Sequence, residues 1–259
     1  MRFTHIFVLV FALVATMPIF GQKFLQKPYT EWSQEEAAKL LKDSGWAVEY
    51  QSEEGLAAAQ SQQQGRDAND NNRGIYRGNQ GRVDIPPPVT AILFSALPVR
   101  QAMVRRQQLG ANYDKMSAED KAKFDESKVK FLECAICKGY YVITLSKWKD
   151  TSTSVSEGIF QTMTLNDMKG KVWLVNDKDQ KLELTEFTPP KNAADAAIFF
   201  FKRTDEQGAP FFTAADKQVR LVFSNELRTT GISQYSRLIP KAFEFKVSKM
   251  LSPKGELEF

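Results

Sequence analysis

The sequence predicts an α+β protein in which an antiparallel β-meander, drawn mainly from residues 139–259, is packed by an N-terminal helix and a middle helical segment. Three observations point there. Apolar residues at helical spacing mark helices that end by about Cys137. After about Lys171, short apolar or alternating runs follow one another between turn signals. In FEFKV, Phe243, Phe245 and Val247 share one face while Glu244 and Lys246 share the other, as an antiparallel sheet with one wet face requires.

The chain opens with Arg2, an apolar run from Ile6 to Ala15, and Thr16, Met17 and Pro18 before Gly21. This is the order of a secretory signal peptide, expected over residues 1–21. The run is about half of the ~20 residues that cross a bilayer, so no stable membrane anchor is expected after cleavage. No cysteine stands near the cut to carry a lipid. Residues 22–259 then form a single exported α+β domain, periplasmic or secreted.

Ser33 and Glu36 have the spacing of a capping box, and Ala37, Leu40 and Leu41 make an apolar stripe, which predicts a helix to about Ser44 with Gly45 as its left-handed stop. Trp32 and Trp46 bracket it as core residues. Residues 52–88 are too polar to offset their ordering entropy and read as a flexible insertion that ends in Pro86, Pro87 and Pro88. A buried strand is expected at Val89 to Leu97. Pro98 opens a basic helix with Val99 and Met103 on one side and Arg100, Arg105 and Arg106 around the rest. A second helix fits Ser117 to about Cys137, with Gly139 to stop it, and YYVITLSKW is a strand. KVWLVN and KLELTEF flank a hairpin loop, AAIFFFKR is a buried strand, and VRLVF and FEFKV complete the sheet. Pro253, Lys254 and Gly255 turn the chain into a last short strand, ELEF.

Composition removes whole classes of chemistry. The sole histidine, His5, lies in the leader, so triads, dyads and zinc or haem sites built on imidazole are not expected. A formal net charge of +4 is too small for a nucleic-acid partner. Cys134 and Cys137 form a CxxC at a helix end, where the dipole opposes a thiolate. Lys138 stands where haem attachment needs histidine, and further zinc ligands are lacking. A structural disulfide, two buried thiols and a redox pair remain open readings. Asp67, Asn69 and Asn71 begin a calcium-loop pattern that fails at Asn72 and Gly78. Asp114, Glu119, Asp120, Asp125 and Glu126 are the acids from which a catalytic pair could come, although charges on an outer helix face are the ordinary explanation.

KPYTEWSQEEAAKLLKDSGWA, with CAICKGYYVITLS and AIFFFKR, resembles a set of exported bacterial proteins of no assigned function that share the pattern W-S-x-E-E-A-x-K-x-L…S-x-W-A. The resemblance implies secretion and a shared fold and transfers no catalytic residue. The expected function is non-enzymatic binding in the cell envelope, without a cofactor or metal, of an apolar small molecule or an envelope protein. The alternative is a carboxylate-dependent hydrolase or isomerase that uses neither histidine nor zinc.

Overall fold

A computed structural model describes residues 23–53, 56, 88–147, 159–192, 195–229 and 239–259. The leader and most of the polar insertion lie outside these residues. The protein is α+β. Eight strands form one antiparallel sheet: β1 (Ala47–Tyr50), β2 (Val89–Leu93), β3 (Tyr140–Lys147), β4 (Val172–Asn176), β5 (Lys181–Thr188), β6 (Ala197–Lys202), β7 (Gln218–Phe223) and β8 (Ala242–Lys246). Their spatial order is β1-β2-β3-β6-β5-β4-β7-β8. Among the described residues are also five α-helices, α1 (Gln34–Leu40), α2 (Leu97–Gly110), α3 (Ala118–Glu133), α4 (Leu165–Met168) and α5 (Asn225–Thr229), together with short 3-10 turns.

The sheet curls until its outermost strands face each other, giving a barrel-like form. Tyr50 of β1 meets Phe243 of β8 edge to face, with ring centroids 6.3 Å apart. Just before β1, a Cβ placed on Gly45 would lie 2.6 Å from the carbonyl carbon of Lys249 and 2.7 Å from its oxygen. Only a residue without a side chain lets the two backbones approach that closely. A register shift between Leu184 and Glu186, where β5 pairs with β6, adds local bend and twist.

The two-residue period of the strands sends one side-chain set inward. Tyr141, Ile143 and Leu145 of β3, Phe199 and Phe201 of β6, Leu221 and Phe223 of β7, and Phe243 and Phe245 of β8 are buried in one continuous core. Phe160 makes ring contacts with Phe187, Phe199 and Phe223 inside it. Aromatic side chains therefore fill the interior, and truncating one costs about 3–5 kcal/mol.

The same core extends to the helices through Trp32, Ala37, Leu40, Val99 and Ala102. The Ser33 hydroxyl accepts from the Glu36 N–H at 3.1 Å, and the Glu36 carboxylate accepts from the Ser33 N–H at 2.8 Å, so the expected capping box starts α1. The Trp32 indole N–H donates to the carbonyls of Phe24, at 2.9 Å, and Lys27, at 3.2 Å. That satisfies the polar end of a ring only 2% exposed.

Several expectations are corrected. The sheet takes β1 and β2 from before residue 139 and interleaves its strands, so sequential neighbours pair only at β1-β2-β3, β4-β5-β6 and β7-β8. Every residue of β2 is buried, and such a strand needs partners along both edges, which β1 and β3 supply. Gly45 serves as the close-approach point described above. The α1 end is held by the Ser44 hydroxyl, which donates to Leu40 O and accepts from the N–H groups of Trp46 and Ala47. Helix α3 ends at Glu133 with Cys134 in left-handed backbone at φ 42°, and the 3-10 turn Ala135–Lys138 that follows is the piece Gly139 closes. ELEF is no strand; Leu257 and Phe259 pack half-buried against the core, and the Leu97 N–H donates to Glu258 O at 3.0 Å.

Candidate functional site

An open groove of about 580 Å³ on the outside of the barrel is lined mainly by α2, with Gln34 of α1 and Phe131 of α3. Met103 and Leu109 of α2 and Phe131 of α3 give it apolar walls, while Gln34, Arg106 and Gln107 supply polar groups. The volume falls within the range of small-molecule and peptide sites. A smaller cleft, about 200 Å³, opens where the N-terminal segment meets α2 and is lined by Tyr29, Trp32, Trp46, Pro28, Pro98 and Pro253 among others.

Beside the groove, two arginines expected on the helix surface are buried and tie α2 to α3 and to the N-terminal segment. Arg100 is 1% exposed and Arg105 5%. Val99, Ala102 and Val104 are also buried, so α2 is covered on more than one side and the arginines between those residues are enclosed with them. The signal was present in the sequence: apolar residues at 99, 102, 103 and 104 span too much of the helix circumference for a surface helix. Arg100 donates to the carbonyls of Leu132, Phe94 and Ser95. Its charge thereby meets the carbonyl end of α3, where a cation is favoured and where helical carbonyls lack partners. Burial pulls its pKa down to about 10.

Arg105 donates to Trp32 O at 2.8 Å and to both carboxylate oxygens of Asp114 at 3.3 Å. It also reaches Gln108, whose amide donates to Asp125 at 3.2 Å; the other oxygen of Asp125 accepts from the Tyr113 hydroxyl at 2.5 Å. That hydrogen bond to a carboxylate, followed by desolvation, pushes the Tyr113 pKa up to about 12. Tyr29 is raised as well, chiefly by burial and then by Asp125. The network joins α2 to α3 and the N-terminal segment.

Of the five nominated acids, the structure brings Asp114 and Asp125 into this one network. Glu119 pairs with Lys123 at 2.6 Å, Asp120 accepts from the Ser117 hydroxyl at 2.7 Å, and Glu126 is exposed. Cys134 and Cys137 are bridged, with their Cα atoms 5.3 Å apart. Their disulfide rests on Val142, with Phe94, Tyr140, Ile198 and Phe200 around it, and pins the turn between α3 and β3. Asp67, Asn69 and Asn71 lie outside the described residues. No group of three or more metal-ligating side chains converges among the described residues, and no described helix is long and apolar enough to cross a membrane. Comparison with protein-family models, curated proteins and solved structures found no match.

Proposed function

We propose that the protein is a non-catalytic binding protein of the cell envelope that holds an amphipathic partner segment or an apolar small molecule in the groove between α1, α2 and α3. The observation that carries this reading is a ligand-sized groove with apolar walls and amide rims, set on a framework that the Arg100 and Arg105 hydrogen bonds hold rigid. The barrel interior is filled by aromatic side chains, so an outer groove is the better receptor. The leader-like start of the chain supports placing this activity outside the cytoplasm.

The carboxylate-enzyme reading draws on one observation, the shared network of Asp114 and Asp125. Each of these acids accepts two hydrogen bonds from neighbouring side chains, an arrangement that suits anchoring more than proton transfer. A thermal-shift screen of acyl amphiphiles and amphipathic peptides tests the binding reading. Stabilisation by at least one of these that is lost in Leu109→Glu supports it. Turnover of an ester or glycoside abolished by Asp125→Asn would replace it with the alternative.

A further inference from the structure

Helix α3 has no fully buried side chain along its 16 residues. Its half-buried side, including Phe124, Phe131 and Leu132, faces α2, and the opposite side presents Ala122 and Val129 with nothing over them among the described residues. Val129 is 46% exposed, and Ile136, in the disulfide-bound turn that follows, is 43% exposed. The charges on this outward side have an unusual order. Apart from the exposed Asp120, which accepts from the Ser117 hydroxyl at the helix start, the exposed charged residues Glu119, Lys123, Glu126, Lys130, Glu133 and Lys138 alternate in sign along the chain.

They are also antisymmetric about residue 128. Lys123 and Glu133 lie five positions to either side, Glu126 and Lys130 two, and Glu119 and Lys138 nine and ten. A pattern that inverts sign on reversal is complementary to itself when two copies run antiparallel. We propose that two copies of this chain associate through antiparallel α3 helices, about a twofold axis that crosses the outward face level with residue 128, beside Val129. The axis sets Lys123 against Glu133 of the second copy and Glu126 against Lys130, each pair occurring twice, as an isologous contact demands. Val129 meets its own counterpart beside the axis. Lys138 comes opposite Glu119, and the disulfide fixes its turn relative to the helix.

The rearrangement costs little. The one ion pair already made on this face, Lys123 with Glu119, is between exposed side chains and contributes at most marginally to the monomer. A helix of 16 residues is about 24 Å long, so the contact belongs with the smaller specific interfaces. Pairs of this kind at a solvated rim make the association weak and sensitive to salt. This face is on the far side of α3 from Phe131, so the proposal stands apart from the groove.

The test is sedimentation equilibrium on the purified protein and two double variants, Lys123→Glu with Lys130→Glu and Glu126→Lys with Glu133→Lys. Concentrations run from about 10 μM to about 1 mM, where contacts of this size dissociate. The expected result is a reversible wild-type dimer, weakened by salt, with Kd raised at least about tenfold in each variant alone. An equimolar mixture of the two variants restores a dimer of wild-type strength, because every reversed charge again meets its opposite. All four positions are exposed, and unchanged circular dichroism confirms that each variant is folded. A monomeric wild type overturns the proposal. So does a dimer unmoved by both variants, or a mixture no tighter than its components.

Discussion

The guanidinium of Arg105 donates through Nε to the carbonyl oxygen of Trp32, 2.8 Å away and 73 positions earlier in the chain. This bond fastens the N-terminal segment to α2, and the same side chain reaches Asp114 beyond it. In Arg105→Met the stem still packs, but Trp32 O loses its buried donor. The Asp114 side chain is 66% exposed, so the ion pair adds little. We expect a loss of about 2 kcal/mol in urea unfolding, set by the stranded carbonyl. Arg105→Lys should recover only part of it, since an ammonium cannot reproduce the fork.

Gly45 and Gly110 offer a matched pair. Gly45→Ala forces a methyl against the Lys249 backbone and should destabilise by about 1–3 kcal/mol, the usual cost of overpacking, or more if the seam opens. Gly110 closes α2 and has nothing within 4 Å of an added Cβ. Gly110→Ala should be neutral or stabilise by up to about 1 kcal/mol. Thermal unfolding of the two variants side by side reads the contrast.

Tyr113 should ionise late. Its hydrogen bond to Asp125 raises the folded pKa to about 12, above the ordinary value of 10.0. The protonated phenol is therefore the form that favours folding. Its contribution is complete below pH 10 and is lost as pH rises through about 12. Ultraviolet titration of phenolate absorbance should show a late step that disappears in Tyr113→Phe and moves to lower pH in Asp125→Asn.

The disulfide closes a very short loop, and its removal should cost about 2 kcal/mol in the chain-entropy picture. Replacing both Cys134 and Cys137 with serine tests this by chemical denaturation. Helicity should fall by no more than the last turn of α3, because Arg100 still holds the Leu132 carbonyl. A loss of the whole α3 signal would show that the bridge, rather than Arg100, anchors the helix.

Local features were the most legible ones. Ser33 with Glu36 located the start of α1, Pro98 the start of α2, and the alternation of Phe243 and Phe245 the inward face of β8, because each depends on residues within a turn or two. What escaped depends on contacts between distant parts of the chain. Nothing local says that Gly45 must clear the backbone at Lys249, or that β3 will lie beside β6. Arg100 and Arg105 were misplaced for a related reason: a buried arginine looks like a surface one until the carbonyls that receive it are known. The groove shared this fate, since its walls come from three helices separated by long stretches of sequence.

The seam where Tyr50 meets Phe243 also bears on how the chain reaches its native state. It joins the first strand of the sheet to the last, so closing it restricts nearly the whole chain at once, whereas the β4-β5 hairpin closes a loop of only a few residues. Contacts so distant in sequence slow a folding reaction because their entropy is lost before their enthalpy is gained. The hairpins should consequently condense first and the seam last. Until it shuts, β1 and β8 are two bare strand edges, and aggregation during refolding should begin there.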